Sequence, residues 1–275
     1  MKCLVVGHLT RDIILHSGVK VERLGGGAYY SAIAATKFCD VEILTSVGKD
    51  FPEEWLEGLS RMGIGLHLLP SKVSTVYELH YLDNNRRDLR LLSRATPIDA
   101  IPEGRYDVVI LNPVAGEIPP ELLRRLTGRA RLLAVDAQGF IREGRPGKVR
   151  LSHIDASFLK GIKVLHGDTS ELGYLRNFAP SDVEVLLASS GPESGKAYLH
   201  GTPYRYHPVR IDVRESTGAG DVFLAAFTGF YQHCPFIQAV KRANAFTALF
   251  LRHRNLEFPM EDVGELAAEV RVERA

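Results

Sequence analysis

The chain contains the run Glu215-Ser216-Thr217-Gly218-Ala219-Gly220-Asp221, which passes directly into the apolar segment Val222-Phe223-Leu224-Ala225-Ala226-Phe227. Backbone N–H groups in the first turn of a helix lack intrahelical partners and lie at the positive end of its dipole. Small residues ahead of a helix therefore let a phosphate come close to those groups. A carboxylate in the same turn repels an anion, so its use is chemical. Beside a transferring phosphoryl group, Asp221 can accept the proton of an attacking hydroxyl, while Gly218, Ala219 and Gly220 supply the anion-binding amides. An acid favouring the helix dipole accounts for Asp221 alone, but not for three small residues packed ahead of it.

Other residues have the types and spacing of a site. Asp12 follows Gly7 just beyond the first apolar run, where a carboxylate can accept hydrogen bonds from vicinal hydroxyls; the alternative is a solvated turn acid. Gly25, Gly26 and Gly27 are entropically costly together, which points to an unusual turn or a close backbone approach. Asp168 and Glu171 are spaced to fix hydrated magnesium, and equally to cap a helix and favour its dipole. Gln138 follows Asp136 at the end of another apolar run and can both donate to and accept from a polyol hydroxyl. The segment from Gly191 to Ala197 is not a Walker loop. It has three residues between its glycines where four are needed, and Ala197 stands where Ser or Thr must follow Lys196.

The elements that must position these residues alternate. Short apolar runs at 2–6, 41–47, 107–111, 131–135, 162–165 and 183–188 predict strands. Helical composition at 28–38, 119–126 and 171–177 predicts helices between some of them, and the pattern is helical over 222–231, 236–252 and 260–270. This alternation predicts a doubly wound, mostly parallel sheet flanked by helices, with ligands at the carboxyl ends of the strands. Two regions break the rhythm: a short strand and turn at 13–21, and a hairpin of 76–81 and 89–92 around Asp83-Asn84-Asn85-Arg86. They predict a separate small sheet. A last hairpin is expected over 196–206.

At 275 residues and 45% hydrophobic content the chain can bury one large core, so one α/β domain with a small appendage is expected. Its 34 Lys and Arg against 33 Asp and Glu give no charge that would draw it to nucleic acid or a membrane, and a small-molecule partner is expected. No signal-peptide core and no apolar run near the ~20 residues of a membrane span are read, so a cytoplasmic location is expected. Cys3, Cys39 and Cys234 have no paired spacing and should be free thiols, and the ten histidines lack zinc-ligand spacing.

The run from Glu215 to Asp221 resembles the C-terminal signature of the ribokinase-like (PfkB) carbohydrate kinases, Asp-Thr-x-Gly-Ala-Gly-Asp, with Glu215 and Ser216 departing from Asp and Thr. The resemblance implies a single ribokinase-like domain over 1–275, with a β-sheet lid from about 13–21 and 73–92. It implies an ATP- and Mg²⁺-dependent kinase with Asp221 as catalytic base and Gly218, Ala219 and Gly220 as the anion hole. Substrate would be held by Asp12, Gly25, Gly26, Gly27 and Gln138, donor phosphates by Ser190, Gly191, Gly218 and Gly220, and magnesium by Asp168 and Glu171. Relatives often carry Asn shortly after the glycines, whereas this chain has Ala28, Tyr29, Tyr30 and Ser31. The blocks 24–31, 39–46, 136–142 and 246–251 resemble the archaeal myo-inositol 3-kinase branch, which implies a cyclic polyol substrate. Arg86, Arg87 and Arg90 are candidates for a sugar-phosphate clamp, or are solvated hairpin charges.

Overall fold

A computed structural model describes residues 1–16, 18–81, 87–213 and 215–275. The strands are β1 (Lys2–Val6), β2 (Thr10–His16), β3 (Val19–Gly25), β4 (Asp40–Val47), β5 (Gly65–Pro70), β6 (Thr75–Tyr81), β7 (Arg87–Ser93), β8 (Tyr106–Leu111) and β9 (Ala130–Asp136). They continue with β10 (Gly147–Lys148), β11 (Ile154–Asp155), β12 (Val164–Asp168), β13 (Leu175–Arg176), β14 (Val185–Ser189), β15 (Gly195–Leu199), β16 (Thr202–His207) and β17 (Arg271–Arg274). The helices are α1 (Gly27–Ala35), α2 (Glu53–Arg61), α3 (Pro120–Thr127), α4 (Gln138–Ile141), α5 (Thr169–Leu172), α6 (Ala219–Tyr231), α7 (Phe236–His253) and α8 (Met260–Ala267).

Ten strands form the main sheet in the order β17-β16-β15-β14-β12-β9-β8-β1-β4-β5. From β14 to β5 every pairing is parallel, and β15 to β17 continue antiparallel. Strands covered on both faces must be apolar on both, and β1 shows this by alternation. Cys3 and Val5 enter a core with residues of α1, α6 and α7, while Leu4 and Val6 enter the opposite core with residues of α3. Strand order reverses around β1, which pairs with β4 on one side and β8 on the other, so ligands are expected beyond the carboxyl ends there.

A second sheet has the order β10-β7-β6-β2-β3, with β2 and β6 parallel and the other pairings antiparallel. Here the sequence reading is corrected: the segment expected as one strand and turn at 13–21 is a hairpin of two seven-residue strands from Thr10 to Gly25. The helix expected over 171–177 is instead the short α5, because Asp168 caps it at its first turn and Leu175 pairs in β13. The expected turn Asp83-Asn84-Asn85-Arg86 lies outside the described residues. Cys3, Cys39 and Cys234 are free thiols. Among the described residues no helix is long and apolar enough to cross a membrane.

Candidate active site

Helix α6 opens at Ala219 behind Gly218, whose φ of 84° is left-handed. That conformation favours glycine, and a Cβ there would also overlap the Tyr30 ring. The opening of α1 meets it: a Cβ on Gly27 would overlap the Asn112 amide and come within 3.0 Å of Asp221 Oδ1. Asn112, just past β8, donates from Nδ2 to Ser31 Oγ at 2.7 Å, and Ser31 Oγ donates to the Asp221 carbonyl at 3.1 Å. Two helix N-termini thus converge on one carboxylate.

Burial foremost, and then the charge of Asp136, pushes the Asp221 carboxyl up to about 7; a hydrogen bond from Asn112 and the cations His166 and Arg142 oppose the rise. Asp136 in turn is paired. His166 Nδ1 and Asp136 Oδ2 are 2.6 Å apart, and His166 Nε2 lies 3.2 Å from Ser189 Oγ. Burial alone would lower the His166 pKa, but the hydrogen bond and charge of Asp136 outweigh it and the imidazole titrates above its ordinary range. A carboxylate near 7 at the opening of a helix is suited to taking a proton at neutral pH.

Asp221 stands where two cavities meet. A small one of about 90 Å³ lies against the second sheet and contains Asp12, Gly26, Gly27, Tyr77, Leu79 and Leu89. A larger one of about 880 Å³ runs past Asp168, Glu171, Gly191 and Gly220 to the apolar side chains Val209, Ile211, Val213 and Leu251. Gln138, Arg142, Thr217, Gly218 and Asp221 line both.

No known family profile matches the chain. Inositol 3-kinase of Arabidopsis thaliana is 26% identical over 269 residues, spanning 92% of this chain and 74% of that one. Among solved structures, a pyrophosphate-dependent kinase in the ribokinase family superposes with a TM-score of 0.81 at 24% identity, covering 95% of this chain and 99% of the other. The chain has the ribokinase fold. A second structure of that fold is a pyrophosphate-dependent myo-inositol 1-kinase converted into a 3-kinase by replacing an asparagine and a serine with leucines. It has a TM-score of 0.80, 24% identity and coverage of 97% and 99%. The plant relative supports a sugar or polyol kinase, the solved neighbours show the fold, and the phosphoryl donor is left open.

Within this ribokinase fold most of the predicted residues line the two cavities, Asp12 and Gly25 coming from the second sheet. Asp12, Gly26, Gly27 and Gln138 reach the small cavity; Gly25 instead packs on Asp12, whose carboxylate a Cβ would overlap. Asp12 also accepts from Thr10 Oγ1 at 2.7 Å. Gly191 lines the larger cavity, where Ser189 rather than Ser190 accompanies it. Asp168 and Glu171 line it too, while forming a capping box. Asp168 Oδ1 accepts from Ser170 N at 2.8 Å, and Glu171 Oε2 accepts from Asp168 N at 3.1 Å. Among the described residues no group of three or more His, Cys, Asp or Glu side chains is disposed to hold a metal by itself. Of the three arginines considered for a sugar-phosphate clamp, Arg90 is exposed, while Arg86 and the Arg87 side chain lie outside the described residues.

Asn112, Arg142 and His166 were missed by sequence reasoning. Asn112 could have been found as the polar residue closing an apolar strand; Arg142 and His166 carry no local signal. A further missed residue ties the loop after β8 to the end of β1. The fully buried Glu117 accepts from the backbone N–H groups of His8 at 3.0 Å, Val114 at 2.9 Å and Ala115 at 2.7 Å. Glu117→Gln turns an amide N–H₂ toward donors and should cost roughly 1–3 kcal/mol in urea unfolding. An unchanged midpoint would mean that the carboxylate does not hold this loop.

Proposed function

We propose that this protein is a cytoplasmic ATP-dependent polyol kinase that phosphorylates myo-inositol at its 3-hydroxyl. The observation that carries this reading is Asp221, placed where a small cavity suited to a polyol ring meets a larger one suited to a donor. The ring lies in the small cavity, with hydroxyls on Asp12, Gln138 and the backbone at Gly26 and Gly27. Asp221 takes the proton of the attacking hydroxyl. Its oxygen forms a bond to the γ-phosphorus as the bond to the ADP oxygen breaks, and the amides of Gly218 and Gly220 hold the charge on the transferred group, whereas the Ala219 N–H, expected to join them, donates to the Ser216 carbonyl at 3.1 Å. Arg142 reaches both cavities and adds positive charge at the junction. Closure of the second sheet over the ring excludes water.

Magnesium keeps most of its water and takes one or two carboxylates plus donor phosphates, which fits Asp168 and Glu171 as partners of a hydrated ion. Bound there it would neutralise donor charge. A nucleotide donor is supported by the volume of the larger cavity and its apolar far end, which pyrophosphate would leave empty. Two carboxylates in the small cavity disfavour an acceptor that already carries phosphate.

The 3-hydroxyl is supported by the likeness to a plant inositol 3-kinase, and Leu79 and Leu89, which wall the small cavity from β6 and β7, are the apolar side chains placed to orient the ring there. The deciding experiment is a panel of polyols, sugars and nucleosides with ATP or pyrophosphate, read as product formation with magnesium. Myo-inositol with ATP should dominate, and a strong preference for ribose, a nucleoside, fructose 6-phosphate or pyrophosphate defeats the assignment. Replacing the leucines by Leu79→Asn and Leu89→Ser should spread product over other hydroxyls, as chiral analysis of the inositol phosphate will report. Retention of pure 3-phosphate separates these side chains from regiochemistry.

A further inference from the structure

The departure of Glu215 from the Asp usual in the kinase signature has a structural partner. Glu215 accepts from both terminal nitrogens of Arg23, at 3.0 Å from Nη1 and more closely from Nη2. Arg23 belongs to β3 of the second sheet, directly across the ladder from Asp12 of β2. A bidentate guanidinium–carboxylate pair fixes direction as well as distance. It joins the sheet that carries the acceptor-binding acid to the loop that opens α6.

Arg254 holds the same loop from α7. Its Nη1 donates to the Thr217 carbonyl at 3.0 Å and the Glu215 carbonyl at 3.4 Å, and its Nη2 lies 3.9 Å from Glu215 Oε2. The guanidinium sits 4.9 Å from the centre of the Phe250 ring, and Arg254 itself caps α7 in the left-handed region with φ 57°. In a trans peptide the carbonyl of one residue and the N–H of the next point in opposite directions. Fixing the Thr217 carbonyl on Arg254 therefore turns the Gly218 N–H away from it, and Gly218 provides the first amide of the anion hole.

We propose that Glu215 is a positioning residue, gripped by Arg23 and Arg254 so that the anion-hole loop and the second sheet are held as one piece. Acceptor and donor sites are then aligned by a single ionic relay: a displaced second sheet also releases the loop. Arg254 orients the peptide, and Arg23 makes that orientation depend on where the sheet lies. The kinetic consequence rests on the kinase reading above; the mechanical one does not.

The test compares wild type, Arg23→Gln, Glu215→Gln and the double variant by hydrogen exchange and steady-state kinetics, with thermal melting to verify the fold. In Arg23→Gln the amides of 216–220 should exchange about tenfold faster or more, although the altered side chain belongs to the other sheet. Each single change should lower kcat about tenfold with acceptor KM moving less than about threefold, and the double variant should be no slower than the slower single. Unchanged exchange at 216–220 overturns the relay, and so do kinetic losses that multiply in the double variant. If the wild type phosphorylates no acceptor in the panel, the kinase reading fails, and the exchange experiment still decides whether the relay exists.

Discussion

Asp221→Asn is expected to fold, to bind donor and to lose ~10²- to 10⁴-fold in kcat, because the amide keeps the shape of the carboxylate but cannot accept the hydroxyl proton. The pH dependence supplies a second reading. The Asp221 carboxyl is pushed up to about 7, so kcat/KM, which reports the free enzyme, should climb with pH until that group is ionised. Stability should move the other way. Between the ordinary carboxylate range and about 7 the folded protein holds a proton that the unfolded chain has released, so wild-type stability falls as pH rises through this window. The Asn variant lacks that slope and should be the more stable protein at pH 8, by up to roughly 4 kcal/mol. A kcat within a few-fold of wild type, or identical pH–stability curves, would remove Asp221 from the role of base.

Gly218→Ala should be nearly as damaging without touching a charged group. The new Cβ must adopt a left-handed backbone, costing about 1–2 kcal/mol, and would overlap the Tyr30 ring. Relief comes by moving the opening of α6, which displaces the amides that hold the transferred charge. A fall in kcat of about 10²-fold, roughly 3 kcal/mol of barrier, is the expected size. Pairing it with Tyr30→Val removes the overlap but not the dihedral cost, so the recovery measures how much of the loss is steric. Should Gly218→Ala turn over at a wild-type rate, the loop is not the anion hole.

These two residues were legible because their meaning is local: small residues, a helix opening and a carboxylate are all contained in seven positions. The central strands were legible for a related reason, since the stretch of a strand covered on both faces must be apolar, as 108–111 of β8 and 132–135 of β9 are. β5 was hidden because Gly65, His67 and Pro70 interrupt its apolar pattern at the sheet edge, where one side has no strand partner. β3 was not read as a strand of its own because its outer residues are exposed and need not be apolar. The pair Asp168 and Glu171 was legible as an alternative between cap and ion partner, and the cap is present. Arg142 and His166 acquire their surroundings only when α4 and β12 are brought beside α6. No window of sequence holds that information.

The antiparallel extension of the main sheet has a consequence for how the molecule meets its neighbours in a crowded solution. β17 forms the outermost rung, with Arg271, Glu273 and Arg274 exposed along it. Inside it lies β16, with Tyr204 and Tyr206 in a stretch that would template foreign strands if its outer hydrogen-bonding groups were bare. A charged final strand makes a poor partner for further pairing. Four residues far from the chemistry thus act as a guard against self-association, and they set a limit on how far the chain can be trimmed before its sheet becomes a seed for aggregates.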